Sequence, residues 1–194
     1  MPKPPRQARR GGAPRQLLLG VTGSIGAYKA ADLIELFKTR GFRVTVVMTK
    51  EAQAFITPLT LQALSGEPVY TELLHDHTPS GIVHIELADH ADVVVIAPAT
   101  ANILGKLAQG LADDLLTCLV LATRAPVVIA PAMNVKMYEH PAVQQNVERL
   151  RAIGYHIVEP VWGKLACGYE GVGHLADLEV IVTAVHDVCV KRIS

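Results

Sequence analysis

Short uninterrupted apolar runs alternate along this chain with longer stretches in which apolar residues recur at helical spacing. Gln16–Val21, Arg43–Met48, Val93–Ala97, Val127–Ala130 and Tyr155–Val158 read as strands, most of them without a polar face. Between the first two, Ala27, Ala30, Ala31, Ile34 and Phe37 supply the apolar face of a helix that runs to about Arg40 and ends at Gly41. Strand, glycine turn, helix and strand within about thirty residues is a βαβ unit, so the sheet is expected to be parallel with right-handed crossovers. Glu51–Leu64 reads as helical pieces broken at Pro58, with a short strand near Val69 and a short helix or turn over Ile82–Ala91. Further helices are expected over Ala101–Ala108, Asp113–Ala122, Pro141–Ile153 and Asp177 to about Val190. Trp162–Gly173 carries four glycines and reads as a loop or flap.

Ile96-Ala97-Pro98-Ala99 and Ile129-Ala130-Pro131-Ala132 echo each other, and each is expected to end its strand at proline. Two neighbouring strands stopped this way would open a crevice at the carboxyl edge of the sheet, where α/β folds bind ligands.

The 194 residues suffice for one domain with a real core. Residues 1–15 are rich in Pro, Arg and Gly and are expected to form a disordered basic tail, leaving 16–194 as a single domain. Half of the residues are hydrophobic and the formal net charge is zero, so nothing global favours nucleic acid or an anionic membrane as partner. No apolar run reaches the ~20 residues of a spanning helix. Cys118, Cys167 and Cys189 form no CxxC pattern, which argues against a disulfide framework, against a metal site and for a reducing, cytoplasmic setting. Cys118 and Cys189 fall at helical positions and are expected to be small buried hydrophobes.

Gly20-x-x-Gly23-x-x-Gly26 opens a helix. It either cradles a phosphate or serves as a tight βα turn. It matches neither the dinucleotide fingerprint nor a Walker A loop, so a mononucleotide such as FMN suits it best, with Ser24 and Thr49 as hydroxyl donors. In Pro98-Ala99-Thr100-Ala101-Asn102, Thr100 is either a helix cap or a ligand contact. His84 lies between apolar neighbours and is expected to be half-buried, as a core residue or as a catalyst. His75, His77 and His90 have no closed metal spacing. Asn134 is a neutral amide between Met133 and Met137, one polar handle in an apolar wall. Cys167 sits among loop glycines, where a thiol could donate a proton to a bound substrate. No hydrolase signature of the G-x-S-x-G or H-E-x-x-H kind is present.

Six segments in order carry a resemblance: Gly20-Val21-Thr22-Gly23-Ser24-Ile25, His84-Ile85-Glu86-Leu87, Ala97 to Asn102, Ala112 to Thr117, Pro131-Ala132-Met133-Asn134-x-x-Met137-Tyr138, and Leu165-Ala166-Cys167-Gly168-x-x-Gly171-x-Gly173. Together they resemble the flavin-containing cysteine decarboxylases over residues 16–190. The resemblance implies a flavodoxin-like, Rossmann-like three-layer α/β/α sandwich with a parallel sheet. It implies FMN held by Gly23, Ser24, Thr49, Phe55, Pro98, Ala99, Thr100, Ala101, Asn102 and Ala132. His84, Asn134 and Cys167 match the family's catalytic positions, and Met137, Ala166 and Gly168 join Asn134 around the substrate. The reaction implied is decarboxylation of a cysteine conjugate, either 4′-phosphopantothenoylcysteine in coenzyme A synthesis or the terminal cysteine of a peptide. A non-catalytic regulatory flavoprotein subunit is the reading from another class. The family's assembly implies a homo-oligomer, a trimer or a dodecamer of trimers, with FMN between subunits. His174-Leu175 stands where the family often has Arg-Met after the flap, and a ligase step is expected to lie on a separate chain.

Overall fold

A computed structural model describes residues 14–73, 82–164, 168 and 170–191. His75, His77, Ala166, Cys167 and residues 1–13 of the basic tail lie outside the described residues. Six parallel strands form one sheet: β1 Arg15–Val21, β2 Phe42–Met48, β3 Val69–Tyr70, β4 Val93–Ala99, β5 Val127–Pro131 and β6 His156–Ile157, in the order β3-β2-β1-β4-β5-β6. This is the doubly wound arrangement, and the chain reverses its direction of travel across the sheet between β1 and β4. Without the two-residue edge strand β3 it is the flavodoxin order.

The apolar runs become strands because both faces of the sheet are covered. Leu17, Leu19, Val21, Val93, Val95, Val128 and Ala130 point to one side, where α1 Ala30–Thr39, α2 Pro58–Ser65 and the terminal helix α8 Leu178–Lys191 pack. Leu18, Val94, Ile96, Val127 and Ile129 point to the other. There they meet α3 Val83–His90, α4 Ala101–Gln109, α5 Leu115–Ala122 and α7 Pro141–Ala152. Side chains such as Leu17, Leu19, Ile96 and Leu104 are fully buried, each contributing about 1.5–3 kcal/mol.

Several expectations change. Pro131 is the last residue of β5, but Pro98 does not end β4. β4 continues through Pro98 to Ala99, and β5 includes Pro131, which pairs with Ala99. Proline has no N–H for the ladder, so the register shifts between Ile96 and Ala99, and pairing then resumes. The helix after β1 starts with a 3₁₀ segment, Ile25–Lys29, capped by Ser24. A one-turn helix, α6 Val135–Tyr138, follows β5 where only a loop was expected. The glycine-rich stretch is an antiparallel hairpin, β7 Val161–Lys164 with β8 Glu170–His174. Arg15 belongs to β1 and pairs with Phe42. Cys189 is buried, but Cys118 is only half-buried and its Sγ donates to the Ala112 carbonyl at 3.4 Å. Burial, with the nearby Asp114 and Asp113 carboxylates, pushes the Cys118 thiol up. No helix among the described residues is long and apolar enough to cross a membrane.

Candidate active site

The carboxyl ends of β1, β4 and β5 meet at the switch point, and one hydroxyl ties two of them together. Thr22, 1% exposed, donates to the Pro98 carbonyl at 2.7 Å and accepts from the Thr100 amide at 3.1 Å. Beside it, the Ala132 amide donates to the Ala99 carbonyl at 2.9 Å. Thr100 caps α4, its hydroxyl accepting from Ile103 N–H at 3.3 Å. The first-turn N–H groups of that helix lack intrahelical acceptors and carry its positive end.

A cavity of about 210 Å³ opens between these ends. Of the residues singled out in the sequence, Gly23, Thr49, Thr100, Ala101, Asn102 and Met137 line it. Thr22, Glu51, Ile103 and Asp114 line it as well and were not singled out as ligand contacts. For Thr22 the available signal was a hydroxyl set directly after an apolar strand. A second hollow of about 590 Å³ shares Thr49 and Asp114 with the first and extends past Lys50, Gln53 and Glu72. Together they reach the range of about 300–1,000 Å³ usual for small-molecule sites.

Thr49 marks this wall. Its Oγ1 is buried and meets no hydrogen-bond partner among the described residues, an arrangement that costs about 1–3 kcal/mol unless a ligand satisfies it. Opposite, Asp114 caps α5 and accepts from Thr117 N–H at 2.8 Å and Lys106 Nζ at 2.8 Å. Burial works to raise the Asp114 carboxyl, but Lys106 and Thr117 outweigh it and hold it below the usual carboxylate range. Lys106 also reaches Asp113 at 2.7 Å. Burial pulls its ammonium down, yet the two carboxylates leave it raised. A buried unpartnered hydroxyl, a capped helix start and a glycine turn form a donor set that fits a flavin mononucleotide, whose phosphate and ring edge both accept hydrogen bonds.

Asn134 is the N-cap of α6, its Oδ1 accepting from Lys136 N–H at 2.9 Å. The acceptor end of the amide is thereby set by the helix, and donation falls to Nδ2. Asn134 is half-buried and sits three residues before Met137, which is 48% exposed and lines the cavity. Tyr138 is buried and its hydroxyl donates to Glu159 Oε2 at 2.6 Å. Burial raises the Tyr138 phenol, so it remains a donor. The hairpin rests on this loop. Met133 N–H donates to the Gly173 carbonyl at 2.9 Å, and a Cβ at Gly173 would lie 2.4 Å from Met133 O. A Cβ at Gly171 would lie 2.6 Å from Val135 Cγ2. Between β7 and β8 the structure describes only Gly168, which is exposed, and Cys167 lies outside the described residues.

Other expected residues stand apart from the cavity. Ala99 and Ala132 have side chains in the core, so what they offer at the strand ends is backbone. Ser24 accepts from Gly26 N–H at 3.3 Å as a cap. Phe55 is 46% exposed beyond the β2 end. His84 is half-buried in the first turn of α3, a helix that packs on α5, and lines neither hollow.

Comparison with known proteins places this geometry. Residues 6–190 match the family described as Flavoprotein. The coenzyme A biosynthesis bifunctional protein CoaBC of Bacillus subtilis is 52% identical over 87% of this chain, and the chain spans 41% of that relative. A probable phosphopantothenoylcysteine decarboxylase of Streptococcus mutans is 46% identical, with 89% of this chain and 98% of that protein covered. Among solved structures, the FMN-dependent cysteine decarboxylase SpaF superposes with a TM-score of 0.81 at 40% identity, covering 94% of this chain and 99% of that one. A mutant PPC decarboxylase complexed with pantothenoylaminoethenethiol gives 0.82 at 35% identity, covering 89% and 97%. The chain belongs to the Flavoprotein family, among its cysteine decarboxylases, and flavin is its class of cofactor.

Proposed function

We propose that this chain decarboxylates 4′-phosphopantothenoylcysteine to 4′-phosphopantetheine with FMN, in coenzyme A biosynthesis. The observation that carries the reading is the Asn134 carboxamide, oriented by its own helix cap three residues before Met137, which lines the cavity. The full-length likeness to the probable phosphopantothenoylcysteine decarboxylase of Streptococcus mutans supports the choice of substrate.

In this reading Gly23, Ser24, Thr49 and Phe55, with the strand end from Pro98 to Asn102 and Ala132, hold FMN. Bound there, FMN supplies reversible two-electron oxidation of the cysteine moiety. Asn134 holds the substrate carboxylate through Nδ2 without a formal charge. A cation there would bind the carboxylate in the ground state and lose that bond as carbon dioxide leaves, which raises the barrier. Met137, with Ala166 and Gly168 of the flap, walls the substrate from water. Cys167 would deliver a proton to the carbon that has lost carbon dioxide, and with the two electrons that FMN would hand back the product would leave as a saturated thiol, with no net redox change.

His84 acts in this reading on the site of a neighbouring copy in a homotrimer, or in a dodecamer built from trimers. What supports it is the surface around His84: Ile82, the N-cap of the same short helix, is 51% exposed, and Ile85 within it is 40% exposed.

The test is mass spectrometry after incubation of the purified protein with 4′-phosphopantothenoylcysteine, beside a peptide ending in cysteine. The expected outcome is a yellow protein that converts the first to 4′-phosphopantetheine and leaves the peptide intact. Decarboxylation of the peptide alone would assign the chain to peptide maturation, and a colourless protein that takes up no FMN would overturn the reading.

A further inference from the structure

α6 is one helical turn, too short to hold its own shape in water. It nevertheless carries Asn134 at its N-cap and Met137 in the cavity wall, so something outside it must fix it. The contacts form a closed circuit. β5 runs through Ala132 into Asn134 and α6. At the end of α6 the Tyr138 hydroxyl donates to Glu159 Oε2 at 2.6 Å. Glu159 follows Val158, whose amide donates to the Ile129 carbonyl of β5 at 2.8 Å. The loop therefore starts and finishes on the same strand, closed by one side-chain hydrogen bond. Arg151 of α7 also contacts Glu159, and Gln144 Nε2 donates to the Tyr138 carbonyl at 2.5 Å, so α7 braces both members.

We propose that Tyr138 and Glu159 are positioning residues that set the orientation of the Asn134 carboxamide, and through it the rate of decarboxylation rather than the binding of substrate. The proposal rests on the role given to Asn134 above. Tyr138 touches neither flavin nor substrate in this scheme. Its hydroxyl instead stops α6 from rocking about the Ala132–Met133 backbone. Loss of that bond leaves the chain able to bind, with the amide placed in a spread of orientations. A misplacement of about 1 Å at a reacting group costs as much as 10²-fold in rate.

The experiment compares Tyr138→Phe, Glu159→Gln and Glu159→Ala in the FMN-loaded protein. Tyr138→Phe is expected to lower kcat about tenfold or more with KM and flavin content near those of the parent. Glu159→Gln keeps a carbonyl that accepts the phenol and is expected to retain most activity, whereas Glu159→Ala should match Tyr138→Phe. The double variant Tyr138→Phe/Glu159→Ala should fall no further than either single change. Hydrogen exchange read by mass spectrometry on the peptide spanning 133–138 gives a second, substrate-free measure. That peptide should exchange faster in Tyr138→Phe and Glu159→Ala, while the β4 strand remains protected. A parent that turns over neither cysteine substrate would remove the decarboxylase reading, and the exchange result would still decide whether the pair holds α6. Unchanged exchange in Tyr138→Phe overturns the proposal. So does an unchanged kcat in an active parent, or a Glu159→Gln variant as impaired as Glu159→Ala.

Discussion

The Thr22 hydroxyl lies 2.7 Å from the Pro98 carbonyl and donates to it, joining the ends of two strands that face each other across the switch point. The same oxygen accepts from Thr100 N–H, so one buried side chain serves a carbonyl and an amide whose own ladders are broken by proline and by the start of α4. Strand ends at the mouth of a crevice cannot pair with each other without closing it. A hydroxyl between them satisfies both groups and keeps the opening.

Thr22→Val keeps the shape and removes the hydroxyl, leaving two buried polar groups unpaired. The expected loss is about 2 kcal/mol. For a chain of this size that is a fall in melting temperature of about 4–8 °C, measured at equal protein concentration. Flavin retention through gel filtration should fall with it, because the cavity wall is built on this bond. Thr22→Ser should stay near the parent in both measurements.

Gly173→Ala forces a methyl group to within 2.4 Å of the Met133 carbonyl, where backbone must move. Gly163→Ala, on the paired strand, comes no nearer than 3.7 Å to the His174 side chain, an ordinary contact. The first should cost about 1–3 kcal/mol in urea unfolding and lower turnover by shifting the Asn134 loop. The second should leave both within error of the parent.

The contrast between these glycines shows what was legible beforehand. The strands could be read because burial on both faces leaves them uniformly apolar, and the helices because Leu104 and Leu107 or Ala30 and Ile34 recur at the right spacing. The hairpin could not, because the glycines that made Trp162–Gly173 look like a loop are there to let β8 lie against Met133 and Val135. α6 could not, because a helix of four residues has no period to detect. Asn134 was legible as a polar handle, but its capping of Lys136 required the turn to be known. Thr22 lines the cavity through contacts to residues far along the chain, 76 positions away for Pro98. His84 was legible as half-buried, yet no sequence pattern tells whether such a residue serves its own chain or a neighbour.

Asp114 and Lys106 predict how stability responds to pH. The folded Asp114 carboxyl is held below its unfolded value. Its contribution is therefore complete above about pH 4 and lost as pH falls through the folded value. The folded Lys106 ammonium is held above its unfolded value, so its contribution is complete below about pH 10 and lost as pH rises through the folded value. Asp114→Asn should be less stable than the parent at neutral pH, with the difference shrinking as pH falls below 4; Asn still caps the helix, which limits the loss to about 1 kcal/mol. Lys106→Met should move the acid limb of the parent's curve to higher pH, since the half-buried Asp114 carboxyl loses its largest stabilising partner. Urea unfolding across a pH series reads both.

Asn134→Asp tests the role of the amide most directly. Aspartate caps a helix as well as asparagine does, so α6 and the melting temperature should be kept. Flavin content should also be kept, because the cavity lining is untouched. If Asn134 holds the carboxylate as proposed, what changes is a negative charge beside it. Two like charges about 4 Å apart repel by about 4 kcal/mol at the effective dielectric of a protein surface. At about 1.4 kcal/mol per decade, kcat/KM should fall by about 10³-fold, as measured by release of carbon dioxide. A yellow, stable Asn134→Asp protein with near-parent turnover would show that the carboxylate binds elsewhere. Cys167→Ser should separate a later step from this one: carbon dioxide still leaves, while the product accumulates as the oxidised enethiol, two hydrogens lighter than the saturated thiol.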